Sequence, residues 1–278
     1  MTLLALVVAA VPELQVVGVH GKRLANQSQP VHKSIVDEDF EGFIARLVVP
    51  KAFFSHFYVV GSTISTLVLA WAGCRPYPVN QLTALLFLLH CLRRLYECQR
   101  LTLYGNAQMH LAGYLVGLLH YTLAPLTLLV AMCEQKIASP HSGVLLGLRG
   151  RDLMWSGVVS LMFLGYSMLQ HQTHHALYLM KMRCLKEGGS SSNSNSSVHS
   201  FPRAWMFSHC ACPHYAAEIG LYLCLLLSNP RCKSMYFLAL WVAANLSVVA
   251  YQQYCWYLET FPDEVLSRRW YILIPFVW

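Results

Sequence analysis

Apolar segments close to twenty residues long recur along the entire 278-residue chain, and no single buried core could absorb them all. A run of about 20 apolar residues is long enough to cross a bilayer as a helix, which satisfies its own backbone hydrogen bonds where no water can. Composition agrees: 56% of the residues are hydrophobic and 12% charged, against about 25% charged in an ordinary soluble domain. The fold expected is therefore all-α, a polytopic transmembrane helical bundle of six to seven spans. The segments are 2–19, 53–73, 81–103, 111–133, 153–180, 213–228 and 235–258. The first is apolar from Met1 to Ala10 but is interrupted by Pro12 and Glu13. It reads either as a first span or as the remnant of a longer N-terminus. Proline and glycine punctuate the turns, at Pro76 and Pro78, at Pro140, Gly143 and Gly147, and at Pro230. Residues 188–198, dominated by GGSSSNSNSS, form a polar low-complexity insert expected to be disordered.

The net charge of +7 does not form a patch. Basic residues cluster at the ends of apolar runs, which argues for membrane topology and against a nucleic-acid partner. If the polar connections alternate sides from a lumenal N-terminus, fourteen of the twenty basic residues fall on one face. The positive-inside rule makes that face cytosolic, and the C-terminus with it. The ten cysteines are scattered without paired CxxC blocks and read as small apolar packing residues.

Ionisable groups inside a span are costly, so each is a candidate for function. The third segment carries His90, Arg93, Arg94 and Glu97, with His90, Glu97 and one arginine on a single helical face. This is either an Arg–Glu pair pinning the helix or a cationic cluster for a phosphate-bearing ligand. The fifth segment closes with His171-Gln-Thr-His174-His175, then Tyr178, Lys181 and Arg183. HxxHH is the form of a histidine box in membrane di-iron enzymes, but such a centre draws its ligands from several boxes, and this chain offers one. No metal is expected. The sixth segment opens Pro213-His214-Tyr-Ala-Ala-Glu218, with proline at the helix start and His214 one turn from Glu218 on one face. Arg268 and Arg269 return two charges to the same side. Convergence of these groups on one leaflet fits a phosphate-rich soluble cofactor meeting a hydrophobic substrate.

At these residues the chain resembles the steroid 5-alpha-reductase family, most closely its polyprenol reductase branch. The segments that carry the likeness are Val49-Pro-Lys-Ala-Phe-Phe-Ser-His-Phe-Tyr58, Leu89-His-Cys-Leu-Arg-Arg-Leu-Tyr-Glu97, His171-Gln through Arg183, Pro213-His-Tyr-Ala-Ala-Glu218 and Ile274-Pro-Phe276. They span residues 49–278, taken as a membrane catalytic domain, with residues 1–48 as a first segment and polar connector. The resemblance implies an NADPH-dependent reductase of the endoplasmic reticulum membrane. It would saturate the alpha-isoprene double bond of a polyprenoid lipid on the route to dolichol, the carrier of N-glycosylation. The competent acceptor would be the aldehyde, because a double bond conjugated to a carbonyl accepts hydride readily and an isolated allylic alcohol does not.

Carried onto this chain, the resemblance implies that Arg94, Arg183 and Arg268 or Arg269 hold cofactor phosphates. Gln172, His214 and Glu218 would sit against the nicotinamide amide and ribose. His56 and Tyr58 would be the carbonyl donors, with Glu97 and His90 behind them. Steroid-reducing members pair a glutamate with a tyrosine. Phe57 stands near the position of that glutamate and Cys91 at that of the tyrosine, which argues against a steroid substrate. Many relatives carry asparagine where His214 stands. The alternatives are a steroid 5-alpha-reductase proper and an isoprenylcysteine-type membrane methyltransferase, which shares a similar C-terminal helical arrangement.

Overall fold

The computed structural model describes residues 47–73, 78–138, 150–188, 200–268 and 270–273. The expected first span at 2–19, the serine-rich insert beyond Gly188, Arg269 and the Ile274-Pro-Phe276 motif lie outside the described residues. Six long helices account for most of the rest: α1 (Phe54–Gly73), α2 (Pro78–Arg100), α3 (Leu111–Ala138), α4 (Gly150–Gly188), α5 (Pro213–Ser228) and α6 (Lys233–Thr260). A short α7 (Pro262–Ser267) follows. Each long helix coincides with one of the apolar segments expected from residue 53 onwards.

Four of these helices, α1, α3, α4 and α6, contain stretches long and apolar enough to cross a membrane. Helix α2 carries Arg93, Arg94, Glu97 and Arg100, and α5 has only 16 residues. The expected count of six to seven spans is thus met by four on length and composition among the described residues. Large apolar side chains such as Leu67, Leu161, Met168 and Phe237 are exposed along the helices. Exposure on that scale would be a liability in water, and it is the surface a lipid-embedded bundle needs. Helix α4 has 39 residues, about 58 Å at 1.5 Å per residue. That exceeds the roughly 30 Å hydrocarbon layer, and Lys181, Arg183 and Lys186 give its C-terminal end a basic character.

Helix α1 packs between α2 and α3, α5 lies along α4, and α6 closes the bundle against α5 and α3. Helix α2 contacts α1, α3, α4 and α5 and so sits at the centre. Close approach depends on missing side chains. A Cβ on Gly117 of α3 would lie 2.5 Å from Phe57 Cζ, and one on Gly220 of α5 would lie 2.7 Å from Tyr166. Small residues at helix crossings are how membrane helices gain contact without a hydrophobic driving force between them. The main core gathers Phe57, Tyr58, Phe87, Cys91, Leu128, Phe163, Leu221 and Trp241 from the interior faces of all six helices. Every described cysteine is a free thiol, and most are buried.

Among the described residues a short ribbon departs from the helical pattern. Val48–Pro50 pairs antiparallel with Gln108–His110, His110 opposite Val48, to form a two-stranded ribbon (β1 and β2) at the start of α1 and α3. A second aromatic cluster, with Phe201, Phe207, Trp256, Tyr257 and Trp270, joins the loop before α5 to the tail. There the Trp270 indole N–H donates to the Phe207 carbonyl at 2.5 Å, and Tyr271 bonds to His209 and Ala211 through the backbone. The tail thereby braces the loop that leads into His214.

Candidate active site

The polar groups of α2, α4 and α5 meet inside the bundle around two carboxylates. Glu97, with no exposed surface, is the first. Its Oε1 accepts from Arg93 Nη1 at 2.5 Å and His171 Nδ1 at 2.9 Å. Its Oε2 accepts from Arg94 Nη1 at 2.5 Å and His174 Nδ1 at 2.7 Å. An ionised carboxylate is acceptor-only with about four lone-pair sites, and all four are filled. This fixes the Nδ1–H tautomer on both histidines. Arg94 Nη1 also lies 2.6 Å from His174 Nδ1, a crowded approach of two donors to one oxygen.

Glu218 is the second. Its Oε2 accepts from Gln170 Nε2, and its Oε1 lies 3.3 Å from His90 Nε2. Gln170 links the two centres, because its Oε1 accepts from Arg93 Nη2 at 2.5 Å. Arg93 Nη2 stands 3.2 Å from His90 Nδ1, which can accept from it. Two guanidiniums thus balance two carboxylates, as buried charges require. Three helices are tied by bonds that could not form in one register higher or lower. Three buried atoms make no hydrogen bond among the described residues: His90 Nε2, which has the Glu218 carboxylate at 3.3 Å, and Arg93 Nε and His214 Nδ1, which have no such neighbour. Unsatisfied buried donors and acceptors cost about 1–3 kcal/mol each, so the last two point to a ligand's polar groups.

The free edge of Arg94 faces α1. Its Nε donates to the Tyr58 hydroxyl at 3.1 Å, and the guanidinium lies 5.1 Å from the ring centroid. The Tyr58 oxygen is therefore an acceptor here, and its own proton remains available to another group.

The profile of the family described as 3-oxo-5-alpha-steroid 4-dehydrogenase matches residues 152–278. Over most of the chain the likeness is to polyprenal reductases. Polyprenal reductase 1 of Arabidopsis thaliana is 30% identical over 268 residues, covering 81% of this chain and 80% of that protein. The Caenorhabditis elegans polyprenal reductase is 27% identical over 282 residues (88% and 84%), and that of Saccharomyces cerevisiae 27% over 259 residues (93% and 84%). The chain belongs to the steroid 5-alpha-reductase family, in its polyprenal reductase branch. It is a membrane oxidoreductase.

Several residues singled out from the family likeness meet in the cluster, and others do not. Tyr58, His90, Arg94, Glu97, His214 and Glu218 all lie in it or at its edge. His56 does not: it is exposed, with Nδ1 2.9 Å from the Tyr114 hydroxyl and its ring 4.6 Å from Phe53. Gln172 is exposed on the opposite side of α4, and it is Gln170 that enters the cluster, bonded to Arg93 and Glu218. Arg94 is held between Glu97 and Tyr58 and is not offered at the surface as a phosphate anchor. Arg183 and Arg268 are exposed and form no ion pair among the described residues, although Arg268 stacks 5.2 Å over Phe201. Phe57 is buried against Gly117, and Cys91 is buried beside Gly61, so the two positions of the steroid acid pair are filled by side chains with no strong hydrogen-bonding group. His171 and His174, read as one box of a metal centre that the chain cannot complete, bind the Glu97 carboxylate.

Proposed function

We propose that this protein is an NADPH-dependent polyprenal reductase of the endoplasmic reticulum membrane, with its C-terminus cytosolic. It saturates the alpha-isoprene double bond of polyprenal in the synthesis of dolichol. The observation that carries the reading is the Tyr58 hydroxyl, fixed by Arg94 inside a buried neutral cluster, in a chain similar to polyprenal reductases along most of its length.

The residues present fit a nicotinamide cofactor. The orphan His214 Nδ1 and Arg93 Nε are buried beside Glu218 and Gln170, where an amide or ribose hydroxyl would find partners. Exposed Arg183 and Arg268, with Arg269, supply guanidiniums for phosphates, which they bind bidentately. When bound, NADPH supplies the hydride that adds to the carbon beta to the aldehyde. The protein's own part is electrostatic. Tyr58 donates to the aldehyde oxygen, on which negative charge develops, in a setting closed to water. Arg94 holds that hydroxyl in place and adds positive charge 5.1 Å from its ring, while Glu97 holds Arg94. Glu97 has no free lone pair and no proton to give, so it supports the donor and does not act as the acid. His56 lies outside this arrangement.

The test is product analysis on the purified protein in detergent, with NADPH and either polyprenal or a steroid enone. Polyprenal with a saturated alpha-isoprene unit is the expected product, with little turnover of the steroid. Tyr58→Phe should lower kcat by roughly 100- to 1000-fold, the loss of an oxyanion donor, and His56→Ala should leave it near wild type. Steroid reduction without polyprenal turnover, or methyl transfer from S-adenosylmethionine, overturns the proposal.

A further inference from the structure

Glu97 takes one nitrogen from each histidine it binds, and at His174 the other nitrogen is left over. His174 Nδ1 donates to Glu97 Oε2 at 2.7 Å, and the side chain is 16% exposed. Arg93 and Arg94 already balance the buried carboxylates, so a charged His174 would be a third, uncompensated cation. The ring is therefore neutral, its proton sits on Nδ1, and Nε2 can only accept. The donor within reach of Nε2 among the described residues is Arg94 Nη1, at 3.5 Å, and that group is committed to Glu97.

The neighbouring ring belongs to His214 on α5. Its centroid lies 5.6 Å from that of His174, and Tyr215 packs against it at 4.1 Å. Gln170 Nε2 approaches the His214 carbonyl at 3.4 Å and ties this end of α5 to α4. His214 Nδ1 is buried and makes no hydrogen bond among the described residues. Two adjacent rings thus hold one nitrogen that only accepts and one that is free to donate. A primary carboxamide complements them, because its NH2 donates and its carbonyl accepts. A hydroxyl could meet both nitrogens with one oxygen, but a carboxamide meets them with two atoms held in a plane. Only the second arrangement fixes the rotation of the ring that carries the group, and a reductase must present one face of its nicotinamide to the substrate.

We propose that His174 and His214 together read the nicotinamide carboxamide, His174 Nε2 accepting from its NH2 and His214 Nδ1 donating to its carbonyl. The proposal deepens the NADPH-dependent function given above and rests on it. Glu97 then serves both sides of the site. The carboxylate that holds Arg94 for Tyr58 also decides which nitrogen of His174 is left to accept.

The experiment measures dissociation constants by calorimetry on the whole protein in detergent. The two probes are NADP+ and its 3-acetylpyridine analogue, in which a methyl group replaces the NH2. Wild type should bind NADP+ about 10-fold more tightly, the weight of one hydrogen bond and of the unpaired group its loss leaves. His174→Asn keeps a donor near the position of Nδ1 and deletes Nε2. It should abolish the preference by weakening NADP+ alone, with a melting temperature near wild type. His214→Phe keeps a ring against Tyr215 and removes the donor to a carbonyl that both probes carry. It should weaken both by about 10-fold and leave the preference as in wild type. Equal affinities in wild type overturn the proposal. So does a preference that survives His174→Asn, or a loss of both affinities by one factor in that variant, which marks a packing role. If the wild-type protein binds neither probe, NADPH dependence fails together with the proposal. If NADP+ binds with the expected preference and polyprenal is not reduced, the substrate reading alone fails.

Discussion

Replacing Glu97 with glutamine keeps the shape of the side chain and removes the charge on which four donors converge. The amide oxygen can still accept, but the new NH2 faces one of two donor pairs: Arg93 with His171, or Arg94 with His174. Each charge-assisted hydrogen bond contributes about 1.5–3 kcal/mol net. Simple addition over four bonds overstates the loss, because the histidines can rotate away. Breaking a buried ion pair by neutralising one partner typically costs about 3–5 kcal/mol, and that is the range expected here. For a chain of this size a loss of about 4 kcal/mol corresponds to a drop in melting temperature of roughly 10 °C. Thermal unfolding of the purified variant in detergent measures it. Adding Arg94→Met to Glu97→Gln should recover part of the loss, since one uncompensated guanidinium is then gone. A melting temperature equal to wild type in Glu97→Gln, or strictly additive losses in the double variant, would refute the picture of a carboxylate anchoring α2 to α4.

Gln170→Ala should destabilise the fold by about 1–3 kcal/mol for each buried partner it leaves unsatisfied, while Gln172→Ala stays within about 0.5 kcal/mol; the same melting assay reads both. Arg183→Ala and Arg268→Ala should each raise the KM for NADPH about 10- to 100-fold, the loss of a charge-assisted phosphate contact, with kcat near wild type in steady-state assays. Trp270→Phe removes the indole donor to the Phe207 carbonyl and should cost about 1–3 kcal/mol, read as a lower unfolding midpoint.

Helix positions were legible because apolar runs and prolines mark them directly: 53–73 became Phe54–Gly73 and 213–228 became Pro213–Ser228. The β1–β2 ribbon was not, since three-residue strands leave no periodicity to read. Within helices, the site residues missed were errors of phase. His56 and Tyr58 are two residues apart and cannot share a helix face, so only one of them could join Arg94. Gln170 and Gln172 stand in the same relation. The face was available from the sequence: Gln170 and His174 are one turn apart, as are His171 and His174, and Gln172 falls outside that stripe. The role of His171 and His174 was hidden for a different reason. Their partner, Glu97, is more than seventy positions away on α2, and no local pattern announces a contact between helices.

The two long helices that least resemble membrane spans are the ones that supply most of the charged cluster. Helix α2 brings His90, Arg93, Arg94 and Glu97, and the short α5 brings His214 and Glu218, while the four apolar helices surround or flank them. A charged helix placed at the edge of the bundle would expose these groups to hydrocarbon. At the centre, α2 can pair the guanidiniums of Arg93 and Arg94 before any ligand arrives, and Tyr58 on the apolar α1 is the group it leaves with a proton to give. The cost of burying charge is thus met by mutual pairing among α2, α4 and α5. The same pairing pre-orients the Tyr58 hydroxyl, and in the reaction proposed above that hydroxyl would stabilise the developing charge on the carbonyl oxygen without reorganisation when the substrate enters.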